Sequence, residues 1–179
     1  IRASGTGAAV FTKNRVRAPV VNLMAERTLR GKLDGVIVNS GCANAYTGKR
    51  GFEDAKTMAQ IGAEALGIDE MNCGVASTGV IGRYLDLDLI RRQTAAVAPN
   101  LAHSSAAEDA AARAIMTTDT VPKHALVRAD GFTVAGICKG SGMIAPNMGT
   151  MLSFVYTDAD VPADTLRECL RTAVNRSLN

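Results

Sequence analysis

Aromatic side chains are scarce in this sequence of 179 residues: they make up 4% of it, and tryptophan is absent. Histidine occurs only twice, and the four cysteines (Cys42, Cys73, Cys138 and Cys169) are widely spaced, without a Cys-x-x-Cys pair. This spacing argues against a zinc site and against a disulfide scaffold. Reduced thiols are the simplest account, so we expect a cytoplasmic location. We also expect no metal and no cofactor.

Concentrated charge and long apolar runs are also missing. The net charge is +3, and no basic run is longer than Lys49-Arg50 or Arg91-Arg92. A dedicated basic face for nucleic acid is therefore not indicated. No apolar run approaches the roughly 20 residues that cross a bilayer. We expect neither nucleic acid nor a membrane as a partner.

The composition is otherwise that of a globular protein, with 47% hydrophobic and 21% charged residues. Enough apolar surface is available to offset the entropy lost on ordering the chain. The length fits one structural domain, and neither repeats nor a linker divides the chain. Because the sequence starts at Ile1 rather than Met and stops at Asn179 just after a helical pattern, we expect both ends to have been cut.

Hydrophobic periodicity predicts strands and helices in irregular alternation, which is typical of a layered mixed α/β or α+β domain. Gly67 is placed to end one helix, Pro162 to begin another, and Ser105 with Glu108 to form a capping box. The turn Asp130-Gly131 joins two alternating segments as in a hairpin. The predicted strands are 8–12, 20–24, 33–38, 73–77, 125–128, 132–137 and 151–156, with a loop at 39–45, and the predicted helices are 52–66, 86–98, 105–116 and 162–177.

A first candidate for chemistry is the segment 77–82, which follows a predicted strand and contains Thr78 and Gly79. A chain that turns sharply at the end of a strand exposes backbone N–H groups, and a glycine lets a substrate approach them closely. Such a place can hold a developing oxyanion. An ordinary turn from strand to helix fits the spacing equally well, and the spacing alone favours it.

A second candidate is the polar segment 116–123, in which Thr117, Thr118, Asp119 and Thr120 follow one another. These side chains can form a polar pocket wall. They also suit the end of a helix followed by a solvated turn before Pro122. Composition alone favours the solvated turn.

A third candidate is the glycine-rich segment 139–152, which begins at Lys139. It matches neither the phosphate-binding loop nor the dinucleotide fingerprint. It does contain a Gly149-Thr150 peptide at the start of a predicted strand. A threonine hydroxyl can attack the preceding carbonyl and shift the chain from amide to ester, and hydrolysis then leaves a threonine with a free α-amine. That amine, with an ordinary pKa near 8, can act as the base for its own hydroxyl. Gly-Thr peptides are common, so the pattern alone favours a structural role.

Four segments together resemble the signature blocks of one family, the bifunctional ornithine acetyltransferases (glutamate N-acetyltransferases) of arginine biosynthesis. The match runs through nearly the whole chain in the same order, and the last segment is the most specific. The segments are NSGCANA at 39–45, STGVIG at 77–82, MTTDT at 116–120 and KGSGMIAPNMGTML at 139–152.

The resemblance implies a set of site residues. Self-cleavage between Gly149 and Thr150 makes Thr150 the nucleophile. The side chain of Thr78 and the backbone N–H of Gly79 form the oxyanion hole. Thr117 and Lys139, together with Thr150, contact the substrate. From its chemistry, Lys139 can hold an amino-acid carboxylate or stabilise a deprotonated amine, and it can equally be a surface lysine.

The resemblance also implies an activity and an architecture. Family members pass acetyl from N2-acetyl-L-ornithine to L-glutamate through an acetyl-threonine, and some also accept acetyl-CoA. The implied fold is a layered sandwich with stacked β-sheets between helices, like that of self-processing threonine-nucleophile aminopeptidases. Residues 1–149 would be most of an α chain and 150–179 the start of a β chain, in a heteromer that assembles further. Part of the family's site lies beyond Asn179, so we expect this piece alone not to form the complete site.

Two other functions stay open. One is an aminopeptidase or amidohydrolase of the same architecture, in which water accepts the acyl group carried by Thr150. The other is a non-enzymatic binding domain, in which the glycine-rich segments only make turns.

Overall fold

The computed structural model describes residues 1–143 and 148–178, which form two three-stranded sheets and five α-helices. This mixed α/β arrangement confirms the predicted fold class. The elements in chain order are β1 (Arg2–Thr6), α1 (Pro19–Arg27), β2 (Lys32–Cys42), α2 (Gly48–Leu66), β3 (Cys73–Val80), α3 (Leu87–Val97), α4 (Ser105–Ala114), β4 (Lys123–Ala129), β5 (Phe132–Lys139), β6 (Leu152–Thr157) and α5 (Ala163–Ser177).

The first sheet has the order β1-β2-β3, with β1 antiparallel and β3 parallel to β2. Parallel pairing brings the carboxyl ends of β2 and β3 to the same edge, where Ser40 pairs with Thr78. Helices α1 and α2 cover one face of this sheet. They bury Leu23 and Met58 against Val75 in the larger of the two hydrophobic clusters.

The second sheet is an antiparallel meander in the order β4-β5-β6. Helix α4 packs on it through Ala112 and Ile115, which form a second cluster with Ile137 of β5. Val38 of the first sheet packs against the same cluster. The uncovered face of the first sheet therefore meets the second sheet and α4 in a shared contact layer.

Several element ends follow the local chemistry of their residues. Helix α2 ends at Gly67, which adopts the left-handed conformation (φ 63°) that suits a glycine. Helix α3 begins after Asp86, whose side chain accepts a hydrogen bond from the backbone of Leu89 at 2.9 Å. The predicted hairpin is confirmed, with Gly131 at φ 86° in the turn between β4 and β5.

Two predicted strands are wrong. Residues 20–24 lie in helix α1, because Pro19 suits the first helical position and Val20, Leu23, Met24 and Arg27 are buried at helical spacing. Residues 8–12 form no strand, although Phe11 packs against the larger cluster from a loop. A short apolar run becomes a strand only where a partner strand lies beside it.

Three details of element ends also differ from the prediction. Ser104 rather than Ser105 caps α4, because the Ser104 hydroxyl accepts from the backbone of Ala107 at 3.2 Å. Pro162 is the residue before the first turn of α5 rather than within it. Strand β2 continues to Cys42, into the segment predicted as a loop.

Among the described residues no helix is long and apolar enough to cross a bilayer.

Candidate active site

A cleft of about 520 Å³ opens where the carboxyl ends of β2 and β3 meet the carboxyl end of β5. Five of the six residues predicted from the sequence line it together: Thr78, Gly79, Thr117, Lys139 and Thr150. They come from the three segments 77–82, 116–123 and 139–152, which only the tertiary fold brings together. The sixth, Gly149, is half-buried and directly precedes Thr150.

The alternation of side chains along β3 turns Thr78 toward the cleft. Val75 packs into the cluster under α1 and α2, and the Ser77 hydroxyl lies 3.8 Å from the sulfur of Met58 on α2. Successive side chains of a strand point to opposite faces, so Thr78 faces the second sheet. Its side chain is buried there, with 6% of its surface exposed.

Gly79 occupies a place that only a glycine fits. Its φ of 129° lies in the region that side chains rarely adopt. A Cβ at this position would also lie 2.6 Å from the carbonyl oxygen of Gly41 on the neighbouring strand. The close approach of these two backbones shapes the end of the first sheet and places the Gly79 peptide at the cleft.

Lys139 is the last residue of the inward face of β5. Ala135, Ile137 and Lys139 alternate along that face and are all buried, with Lys139 only 3% exposed. Lys139 Nζ donates a hydrogen bond of 2.8 Å to Thr78 Oγ1. A threonine oxygen that accepts this bond keeps its own proton for another acceptor. The contact therefore leaves the Thr78 hydroxyl available to donate into the cleft.

Asp119 connects Thr117 and Lys139 from behind the cleft. Its carboxylate has no exposed surface, and Oδ1 accepts from Lys123 Nζ at 2.6 Å and from the backbone N–H of Gly140 at 2.8 Å. Oδ2 accepts a longer bond of 3.5 Å from the backbone N–H of Thr117. Burial acts to raise the pKa of Asp119, but these hydrogen bonds outweigh it and lower the pKa to about 2.

The peptide before Thr150 is attached to an unusual backbone. Thr150 has a φ of 58° and Met148 a φ of 62°, both in the left-handed region. This conformation costs roughly 1–2 kcal/mol for a residue with a side chain, and it is an outlier for a β-branched one. Such strain is concentrated at functional sites in proteins. Thr150 itself is exposed at the cleft, and positions 144–147 of the same glycine-rich segment lie outside the described residues.

The cleft has one sign of charge. Among the described residues that line it, Lys139 is the only one with an ionisable side chain, and hydroxyl groups of Thr78, Thr117 and Thr150 surround it. This arrangement suits a ligand that carries a carboxylate or develops negative charge on an oxygen. In residues 1–143 and 148–178 no three metal-binding side chains cluster, and the four cysteines are free thiols.

Sequence reasoning missed the contributions of Ser40 and Asp119. Ser40 lines the cleft. Its hydroxyl donates a hydrogen bond of 2.6 Å to the carbonyl of Ala114, which connects β2 to the end of α4. Asp119 stands in a run of polar residues, and composition does not tell which member of such a run is buried. A signal was present in the spacing of Asp119 and Lys123, but a charge pair four residues apart is common on protein surfaces.

Comparison with known proteins identifies relatives over the whole chain. The model of the ArgJ family matches residues 2–179. Glutamate N-acetyltransferase of Methanosarcina mazei is 52% identical over 181 residues, which cover all of this chain and 46% of that protein. The arginine biosynthesis bifunctional protein ArgJ of Symbiobacterium thermophilum is 51% identical over 96% of this chain and 43% of its own length. The chain thus spans about half the length of these relatives.

Solved structures show the same relationship. Ornithine acetyltransferase of Mycobacterium tuberculosis, determined in complex with ornithine, superimposes with a TM-score of 0.77 and 40% identity, over 79% of this chain and 76% of that one. The ArgJ protein of Bacillus halodurans gives a TM-score of 0.62 and 37% identity, over 86% and 73%. Sequence and fold agree with the resemblance in the four segments, and the chain belongs to the ArgJ family.

Proposed function

We propose that the protein carrying this chain transfers acetyl from N2-acetyl-L-ornithine to L-glutamate, with Thr150 as the nucleophile. The observation that supports this most is the meeting of Thr150, Thr78, Gly79, Thr117 and Lys139 at one cleft. Relatives at 51–52% identity carry the names glutamate N-acetyltransferase and arginine biosynthesis bifunctional protein. Acetyl-CoA is a second acetyl donor in this proposal, and the location is cytoplasmic, in line with the free thiols.

The first step is self-cleavage between Gly149 and Thr150. The Thr150 hydroxyl oxygen attacks the Gly149 carbonyl carbon, the peptide C–N bond breaks, and the released nitrogen takes up a proton as the α-amine. Water then hydrolyses the ester and leaves a Gly149 carboxylate and a free Thr150. The left-handed backbone of Thr150 supports this step, because cleavage relieves the strain. Residues 1–149 then belong to an α chain, and 150–179 begin a β chain that forms a heteromer and a larger assembly with it.

Acetyl transfer then takes place in two half-reactions, in which Thr150 first accepts the acetyl group and then gives it to glutamate. The Thr150 amine takes the proton of its own hydroxyl, and the oxygen attacks the acetyl carbonyl of N-acetylornithine. The tetrahedral oxyanion is stabilised by the Thr78 hydroxyl and the Gly79 N–H. The C–N bond breaks, ornithine leaves with the proton on its amine, and acetyl stays on Thr150 as an ester. The amine of glutamate then attacks this ester and gives up a proton, the bond between the acetyl carbon and the Thr150 oxygen breaks, the oxygen takes up a proton, and N-acetylglutamate leaves.

Lys139 supports this chemistry in two ways. Its hydrogen bond to Thr78 Oγ1 directs the threonine proton toward the oxyanion. Its side chain also gives the cleft a positive group for the carboxylate of an amino-acid substrate. Thr117 also lines the cleft and contacts the substrate in this proposal.

A two-substrate assay tests the proposal on the full-length protein. We expect ornithine and N-acetylglutamate to form together from N-acetylornithine and glutamate. Thr150→Ala abolishes both products, and Thr150→Ser keeps a measurable rate because it retains a hydroxyl and an amine. Acetate release that does not depend on glutamate identifies a hydrolase instead. Unchanged transfer by Thr150→Ala contradicts the assignment of the nucleophile.

A further inference from the structure

We propose that Asp119 is a positioning residue of this site, which holds Lys139 and Thr117 at the cleft without contacting the substrate. The inference rests on the proposed acetyl transfer and adds a residue to it. Asp119 is not among the side chains that line the cleft, yet its carboxylate bonds to both segments that carry these two residues.

The bond to Gly140 fixes the end of β5. Lys139 is the last residue of the strand, where it pairs with Leu152 of β6. The chain then leaves the sheet at Gly140, whose φ of 152° is a glycine conformation. Asp119 Oδ1 accepts the N–H of Gly140 at 2.8 Å. Asp119 therefore holds the peptide that directly follows Lys139, and the Lys139 side chain reaches Thr78 from this fixed position.

The bond to Thr117 holds the part of the cleft wall that follows helix α4. Asp119 Oδ2 accepts from the Thr117 N–H at 3.5 Å, and the turn between them follows helix α4. One carboxylate therefore joins the segment after α4 to the end of β5. Because catalysis depends on the geometry of reacting groups, a shift of about 1 Å in such a wall costs on the order of a hundredfold in rate.

The third partner balances the charge. A carboxylate without exposed surface is costly unless it is paired, and Lys123 Nζ lies 2.6 Å from Oδ1. The Lys123 side chain is 41% exposed. Lys123 is partly exposed to solvent and does not line the cleft. It neutralises Asp119, so that Lys139 can donate its hydrogen bond to Thr78.

The test compares single and double variants of the full-length protein in the transfer assay. We expect Asp119→Ala to lower kcat by about tenfold to a hundredfold. Asp119→Asn keeps an oxygen for the Gly140 N–H and recovers a large part of this loss. In a Lys139→Ala background, Asp119→Ala lowers kcat by a smaller factor than in the unaltered protein, because only its effect through Thr117 remains. Asp34→Ala is the matched control: Asp34 is also buried and hydrogen-bonded, to Ser4 and Asn72, and its loss lowers the melting temperature but not kcat.

Three results overturn the inference. One is a lower melting temperature of Asp119→Ala with unchanged kcat, and another is a full multiplication of the two losses in the double variant. The third is a structure of Asp119→Ala in which Lys139 Nζ still lies at about 2.8 Å from Thr78 Oγ1. The structure of Asp119→Ala tests the positioning role of Asp119 even if the unaltered protein transfers no acetyl. That absence of transfer would contradict the proposed function alone.

Discussion

Lys139 illustrates at the scale of one residue how a functional group departs from its surroundings. Its position continues the buried apolar face that Ala135 and Ile137 form along β5, where a lysine is costly to bury. The hydrogen bond to Thr78 offsets part of this cost. The sequence showed the alternation and the lysine, but the partner is 61 residues away, and no local pattern identifies it.

Removal of the Thr78 hydroxyl tests the most specific contact of the cleft. Thr78→Val keeps the shape of the side chain but loses the proposed donor to the oxyanion and the acceptor for Lys139. We expect kcat for acetyl transfer to fall by about 10²–10³-fold. Thr57→Val, at a half-buried position of α2 that does not line the cleft, is the control and retains full activity. Equal activity of the two variants would contradict the oxyanion role of Thr78.

A side chain at position 79 tests the fit of the two strand ends. Gly79→Ala places a Cβ against the Gly41 peptide and forces alanine to a φ of 129°. We expect a loss of about 1–3 kcal/mol in the free energy of unfolding, measured with urea. Gly5→Ala on β1, where a Cβ meets open space, changes this free energy little. A neutral Gly79→Ala would show that the strand ends relax more easily than their geometry indicates.

The depressed pKa of Asp119 predicts how stability depends on pH. The folded-state pKa of about 2 lies below the usual 3.8, so the ionised carboxylate stabilises the fold fully above about pH 4. This contribution is lost as the pH falls from 3.8 toward 2. The difference in unfolding free energy between the unaltered protein and Asp119→Asn is therefore constant from pH 7 to about 4 and shrinks below it. A difference that stays constant down to pH 3 would contradict the assignment.

At the scale of elements, local signals located most helices and strands but not all of their ends. Gly67 marks the end of α2 by its own chemistry, which is readable from the sequence. The apolar pattern of residues 20–24 is compatible with a strand or a helix. Arg27 is buried one turn after Met24, and this spacing is that of a helix. That burial depends on Glu70 and the carbonyl of Cys73, which a local pattern does not contain.

The cap of α4 gives a test at this scale. Ser104 and Ser105 are adjacent at the start of the helix, and the Ser104 hydroxyl accepts the backbone N–H of Ala107. Ser104→Ala is expected to lower the free energy of unfolding by about 1 kcal/mol. Ser105→Ala leaves it almost unchanged, because Ser105 is already within the helix. The reverse order of the two effects would restore the cap predicted from the sequence.

At the scale of the whole molecule, the cleft depends on how two sheets meet. The sequence identified all five lining residues that the proposal uses, through resemblance in four segments. It did not show the contacts between the sheets, such as Ser40 to Ala114 or Val38 against the second cluster. These contacts join residues far apart in the chain, so they follow from the packing of whole elements rather than from local periodicity.

The mass of the full-length protein, measured before and after exposure to N-acetylornithine, tests the central claim most directly. We predict two chains, the second beginning with Thr150, and a gain of one acetyl group on that Thr150 after exposure. Thr150→Ala gives one uncut chain without the acetyl group. An uncut unaltered protein, or an acetyl group on any other residue, would contradict the account.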